Sequence, residues 1–89
     1  DGTKSEWRDA TGSVQLIEVH PTRDWYGQAI LLIEKNSPAR VAFITRLGEA
    51  LLPDEHTVLQ EGDLVHVFAK ESEISQVEKI LAKSPEGKK

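Results

Sequence analysis

The 89-residue sequence contains no cysteine. Disulfides and thiolate metal sites are therefore excluded, and with them the small secreted scaffolds that depend on such staples. Long apolar runs are missing as well. The longest, Ala29 to Ile33, spans five residues, against roughly 20 needed to cross a bilayer as a helix, so no direct membrane insertion is expected. Positive charge is in deficit: 11 Lys and Arg stand against 15 Asp and Glu, a formal net charge of −4. The basic footprint that attracts phosphate backbones is absent, and no nucleic-acid partner is expected. A secretory leader is not recognisable in Asp1-Gly2-Thr3-Lys4-Ser5-Glu6, which is polar and has no apolar core. These absences fit a cytoplasmic protein. Asp1, not Met, opens the sequence, and we expect the chain to be part of a longer one.

What remains is one small domain. A chain of this size buries only about 60% of its unfolded surface, so it is marginal alone and a partner is expected. Residues 1–13 carry glycines among small polar and charged groups, with Trp7 the only large apolar side chain. They read as a linker without fixed structure. Residues 84–89 read as a solvated tail, which leaves 14–83 as the folded body.

Val14 to His20 is rich in β-branched residues and stops at Pro21, which predicts a strand. Asp24 is placed to cap a helix over Trp25 to Lys35, where Trp25, Ala29, Leu32 and Ile33 recur at helical spacing. Pro38 ends it. Arg40 to Arg46 alternates, with Val41, Phe43 and Thr45 on one face and Arg40, Ala42, Ile44 and Arg46 on the other. Leu47-Gly48 makes a tight reversal into a short strand, Glu49 to Leu52, closing a hairpin. Turns at Pro53 to His56 and Glu61 to Asp63 precede a last strand, Leu64 to Ala69. Ser72 is placed to cap a final helix with the apolar stripe Ile74, Val77, Ile80 and Leu81. The expected class is α+β: a small, mostly antiparallel sheet with two helices, in the order β-α-β-β-β-α.

Few residues point to chemistry. His20, His56 and His66 fall on three elements without the close pairings of metal motifs, so no metal site is expected. His66, between apolar neighbours in a strand, reads as a partly buried structural histidine. The acids Asp54, Glu55, Glu61 and Asp63 lack the spacing of a calcium loop. No serine sits in a nucleophile elbow, and the glycines at 27, 48 and 62 form neither a dinucleotide fingerprint nor a phosphate loop. An enzyme is not expected. Arg40 and Arg46 form a pair suited to a phosphate or carboxylate, or to a solvated strand edge. Trp25-Tyr26 reads as core or interface rather than as a ligand platform.

Longer stretches carry a resemblance. Val41-Ala42-Phe43-Ile44-Thr45-Arg46-Leu47-Gly48-Glu49, then Leu51-Leu52-Pro53, and later Thr57-Val58-Leu59-Gln60-Glu61-Gly62-Asp63-Leu64-Val65-His66-Val67, together resemble the TrkA-C domain, also called the RCK C-terminal domain. The opening strand at Glu18-Val19 and the following Trp25-Tyr26-Gly27 agree with that family's order. Ala39 to Phe43 is most similar to its actinobacterial members.

The resemblance implies a regulatory and dimerisation domain of a TrkA-type subunit that controls potassium transport from the cytoplasmic side of a membrane transporter or channel. It further implies a preceding Rossmann-type RCK domain that binds NAD or another nucleotide, and no cofactor in this domain itself. Relatives pair as homodimers, and some bind cyclic di-AMP in the dimer groove. By that analogy Asn36, Arg40, Val41 and Phe43 are the candidate contacts for cyclic di-AMP or another small anion. Ile30, Ile33, Ala42 and Ile44 are the candidate dimer-interface residues.

Overall fold

The computed structural model describes residues 4–87. Its elements run β1 (Lys4–Arg8), β2 (Val14–Val19), α1 (Leu32–Asn36), β3 (Arg40–Arg46), β4 (Glu49–Leu51), β5 (Leu64–Lys70) and α2 (Ile74–Leu81). The five strands form one sheet in the spatial order β1-β2-β5-β3-β4, and every pairing is antiparallel. The class is the expected α+β, and β2 to α2 follow the expected order.

β1 is the departure. The stretch read as an unstructured linker pairs along β2, with a register shift between Ser5 and Trp7. Trp7 meets Phe68 edge-on, with ring centroids 6.1 Å apart. The turn into β2 is organised by Asp9, whose carboxylate accepts from the Val14 N–H at 2.8 Å and the Thr11 hydroxyl at 2.6 Å. These bonds, the Thr11 hydroxyl foremost, lower the Asp9 pKa to about 2.

One face of the sheet is covered and the other is open. Ile17 and Val19 of β2, Val65, Val67 and Ala69 of β5 and Ile44 of β3 point to the covered side. There they pack with Trp25, Ile30, Ile33, Val77 and Leu81. In α2 the expected stripe is present: Val77 and Leu81 are buried, and Ile74 and Ile80 pack beside them. Ser72 does not cap it. A single 3₁₀ turn, Glu71–Glu73, leads directly into the helix, and no side chain bonds its first turn.

The first helix is much shorter than its spacing predicts. Arg23–Trp25 is a 3₁₀ turn and only Leu32–Asn36 is α-helical. Between them Gly27 adopts φ +86°, a conformation that L side chains rarely adopt. The backbone there pairs with another segment instead of with itself. The Gly27 N–H donates to Leu59 O at 2.8 Å, Leu59 N–H to Gln28 O at 2.9 Å, and Ile30 N–H to Thr57 O at 2.8 Å. Asp24 is not a helix cap; its carboxylate accepts from the Ser84 hydroxyl at 2.6 Å.

That last bond belongs to a larger correction. The segment read as a solvated tail is anchored to the body, although Pro85 alone of its described residues is buried. The Trp25 indole N–H donates to Lys83 O at 2.7 Å, Pro85 is buried, and Glu86 N–H donates to Asn36 Oδ1 at 2.9 Å. Residues 1–3 and 88–89, the outer parts of the two end segments, lie outside the described residues.

The β3–β4 reversal is a two-residue hairpin with φ +53° at Leu47 and +81° at Gly48. Both central residues are left-handed, as the right-handed twist of the flanking strands favours. Along β3 itself a bulge changes the reading of the faces. Val41 pairs with Val67 but Phe43 pairs with His66, so Ala42 is the extra residue. Phe43 and Thr45 therefore share the open face with Arg40, which is opposite Phe68. Arg46 falls on the other face with Ile44. The two arginines expected on one face of β3 are thus placed on opposite faces by one inserted residue.

Candidate functional site

The four expected ligand contacts are distributed over three places. Asn36 ends α1 and lines a cleft of about 610 Å³ between the two helices and the C-terminal segment, together with Lys35, Lys79 and Lys83. Its amide is occupied: it donates to Leu32 O at 3.0 Å and Glu86 O at 3.1 Å, and its oxygen accepts from Glu86 N–H. Arg40 is exposed at the start of β3 on the open sheet face. Phe43 lies on the same face, stacked on the His66 ring at 4.1 Å with an interplanar angle of 13°. Val41 faces the opposite way and packs against the core. Its N–H donates to the Glu34 carboxylate at 2.8 Å, which ties α1 to the first residues of β3.

The proposed interface residues are redistributed too. Ile30, Ile33 and Ile44 are at most 1% exposed and belong to the core of this chain. They stabilise the fold from within and offer no surface to a partner. Ala42, the bulge residue, is the one of the four that is partly exposed.

Arg46 is engaged structurally. Its Nε donates to Asp63 Oδ1 and its Nη2 to Asp63 Oδ2, each at 2.8 Å, and Nη2 also donates to Val58 O at 2.9 Å. Asp63 additionally accepts from Gln60 N–H at 2.9 Å. The fork of the guanidinium matches the carboxylate, and the pair fastens the end of β3 to the turn that launches β5. Arg46 holds the Asp63 carboxyl below its usual range, and Asp63 raises the Arg46 pKa in return. Of the two arginines, only Arg40 is left for a ligand or partner.

The cleft carries the feature least visible beforehand. Lys35 comes from the end of α1, Lys79 from the last turn of α2, and Lys83 from the segment beyond it. Each alone reads as a favourable charge at a helix C-terminus. Their gathering depends on how the C-terminal segment folds back over α1, which no local pattern signals.

Three comparisons bear on identity. The TrkA-C domain family profile matches residues 14–82. The Trk system potassium uptake protein TrkA of Streptomyces coelicolor is 53% identical over 85 residues, which is 96% of this chain and 38% of that protein. The chain thus spans well under half the length of that curated relative. Among solved structures, the GsuK RCK domain is similar with a TM-score of 0.75 at 20% identity, over 96% of this chain and 19% of that one. The GsuK channel bound to NAD gives a TM-score of 0.71 at 21% identity, over 92% and 16% respectively. At such identities the structural likeness speaks to the fold. The profile match covers most of the sequence and all elements from β2 to α2, so the chain belongs to the TrkA-C domain family.

Proposed function

We propose that this chain is the C-terminal regulatory domain of a TrkA-type potassium uptake protein, acting on a membrane transporter from its cytoplasmic face. The observation that carries this reading is the 53% identity to the Streptomyces coelicolor TrkA protein along almost the whole chain. In this reading a nucleotide-binding RCK domain precedes it, and any NAD is bound there. The domain contributes pairing between two copies, so that the state of one domain alters the geometry of the assembly. Trp7, Leu64 and Phe68, apolar and exposed on the open sheet face, supply surface suited to such pairing.

Exchange of the domain tests this. The Streptomyces coelicolor protein with its C-terminal segment replaced by this chain is expected to restore potassium-limited growth to a strain lacking TrkA, whereas the truncated protein is not. A chimera that folds and accumulates yet grows no better than the truncation would overturn the reading.

A second reading is favoured by the cleft: sensing of a small anion such as cyclic di-AMP. The three lysines provide charge for phosphate, and displacement of Glu86 would free the Asn36 amide. Calorimetric titration with cyclic di-AMP is expected to give heat that is lost in a Lys79→Gln, Lys83→Gln variant and weakened by salt. No heat in the unmodified chain removes this reading and leaves the first intact.

A further inference from the structure

We propose that Glu6, Glu18 and His66 form a binding site for a divalent cation of the zinc type on the open face of the sheet. The three side chains come from three strands. Glu18 and His66 are directly opposite each other across β2 and β5, and Glu6 occupies the irregular position of β1 between Ser5 and Trp7. One donor atom from each lies within 4.8 Å of the others. Donors that share one ion at bonds of about 2.1 Å lie within about twice that length of each other, and His66 Nδ1 and Glu6 Oε1, at 2.7 Å, must part slightly to admit it. A small rotation of the glutamate side chains closes the set around one ion.

His66 is held as a ligand is held. Its side chain is 5% exposed, its ring is stacked on Phe43, and its Nε2 is 3.0 Å from the Thr45 hydroxyl. With an ion bound, Nε2–H would donate to that hydroxyl and the Nδ1 lone pair would be directed at the metal beside the carboxylates. Bound histidines are characteristically oriented in this way, with the second ring nitrogen donating to an outer partner. Nδ1 stands 2.7 Å from Glu6 Oε1, so a positive centre, a proton or a metal ion, joins the two. His20 adds a flanking group: its Nε2 is 3.4 Å from Glu18 Oε2, where it can orient that carboxylate or supply a further nitrogen.

The donor set selects the ion. Calcium and magnesium take oxygen ligands throughout, whereas mixed imidazole and carboxylate suits zinc and its neighbours in the transition series. A bound ion would clamp β1 across β2 to β5, so that attachment of the N-terminal strand depends on the metal. The site was hidden in the sequence because its ligands are 6, 18 and 66 along the chain, and because residue 6 lies in a stretch with no strand signature.

The test is titration of the 89-residue chain with zinc chloride near neutral pH, followed by calorimetry and by the melting temperature. We expect one ion per chain and a higher melting temperature. The imidazole NMR signals of His66 are expected to show Nδ1 as the ligated nitrogen. Glu6→Gln and Glu18→Gln each are expected to weaken binding by about tenfold or more, and calcium chloride is expected not to compete. His56→Gln, at an exposed histidine beside Glu55, is the control and should leave binding unchanged. Because His66→Gln disturbs a buried ring, the two glutamate variants decide the matter. Zinc affinity unchanged in both, a zinc affinity no better than that of exposed single histidines, or loss of binding with His56 would overturn the proposal in favour of a proton-bridged structural pair.

Discussion

Replacement of Trp25 by alanine is expected to remove about 3–5 kcal/mol of stability. The side chain is 1% exposed and lies in the core cluster. Its truncation therefore loses the transfer free energy of an indole and leaves a cavity. It also strands the Lys83 carbonyl that the indole N–H satisfies, adding a cost for an unpaired polar group. Native stabilities are about 5–15 kcal/mol, and a chain this small sits near the lower end. The variant should therefore be partly unfolded at ambient temperature. Urea denaturation followed by circular dichroism measures this, since Trp7 still fluoresces in the variant. Trp25→Phe separates the contributions: it keeps an aromatic ring in the core but loses the bond to Lys83, and should fall between the two. A loss below about 1 kcal/mol in Trp25→Ala, a typical cost of one hydrogen bond, would mean that the indole is not the anchor its burial suggests.

The second large effect is at Asp63. Its side chain is 1% exposed, and it receives two bonds from Arg46 and one from the Gln60 backbone. Asp63→Ala leaves a guanidinium and a backbone N–H without their acceptor. Breaking a buried pair in this way costs about 3–5 kcal/mol, and because Arg46 is 24% exposed, solvent compensates part of it. We expect a loss of about 2–3 kcal/mol. The effect has a pH signature. Asp63 has a lower pKa folded than unfolded, so between the two values the unfolded chain binds more protons and stability rises with pH. The contribution is complete above the ordinary carboxylate value of about 3.9 and is lost as pH falls through the folded value. Asp54 and Asp9, lowered by their turn hydrogen bonds, titrate with the same sign. The unmodified chain should thus lose stability as pH falls below about 4, and Asp63→Ala should flatten that slope without abolishing it. A parallel pair of curves would show that Asp63 contributes nothing pH-dependent.

How much of this was legible beforehand depends on which residues are considered. β3 was readable to its ends because alternation, a hairpin turn and β-branched side chains agree there. The α2 stripe was readable because Val77 and Leu81 lie on one face of a regular helix. The segment from Trp25 to Lys35 misled because its apolar spacing is equally satisfied by a turn, an isolated bridge between Ala29 and Val58, and one short helix. Gly27, at positive φ and bonded to Leu59, decides between them. β1 left no trace because every residue in it is exposed, and a strand without a buried side has no alternation to detect. The position of Arg46 was lost to one bulge: from Phe43 onwards each side chain of β3 switches sides. The lysine cleft and the Glu6, Glu18 and His66 cluster join residues far apart in the chain. Long-range juxtaposition of that kind is a product of topology, not of any window of sequence.

The position of β5 has a consequence for the order of assembly. It is the central strand of the sheet yet the last of the five to be made. The β1–β2 and β3–β4 hairpins can close locally, but neither can join the other until residues 64–70 arrive between them. During synthesis two separate ribbons with open edges must wait for one late strand. Pairings so distant in the chain delay folding, because loop entropy is lost before the contacts form. Completion of this domain is therefore a single event that waits for β5, the strand that joins the two ribbons.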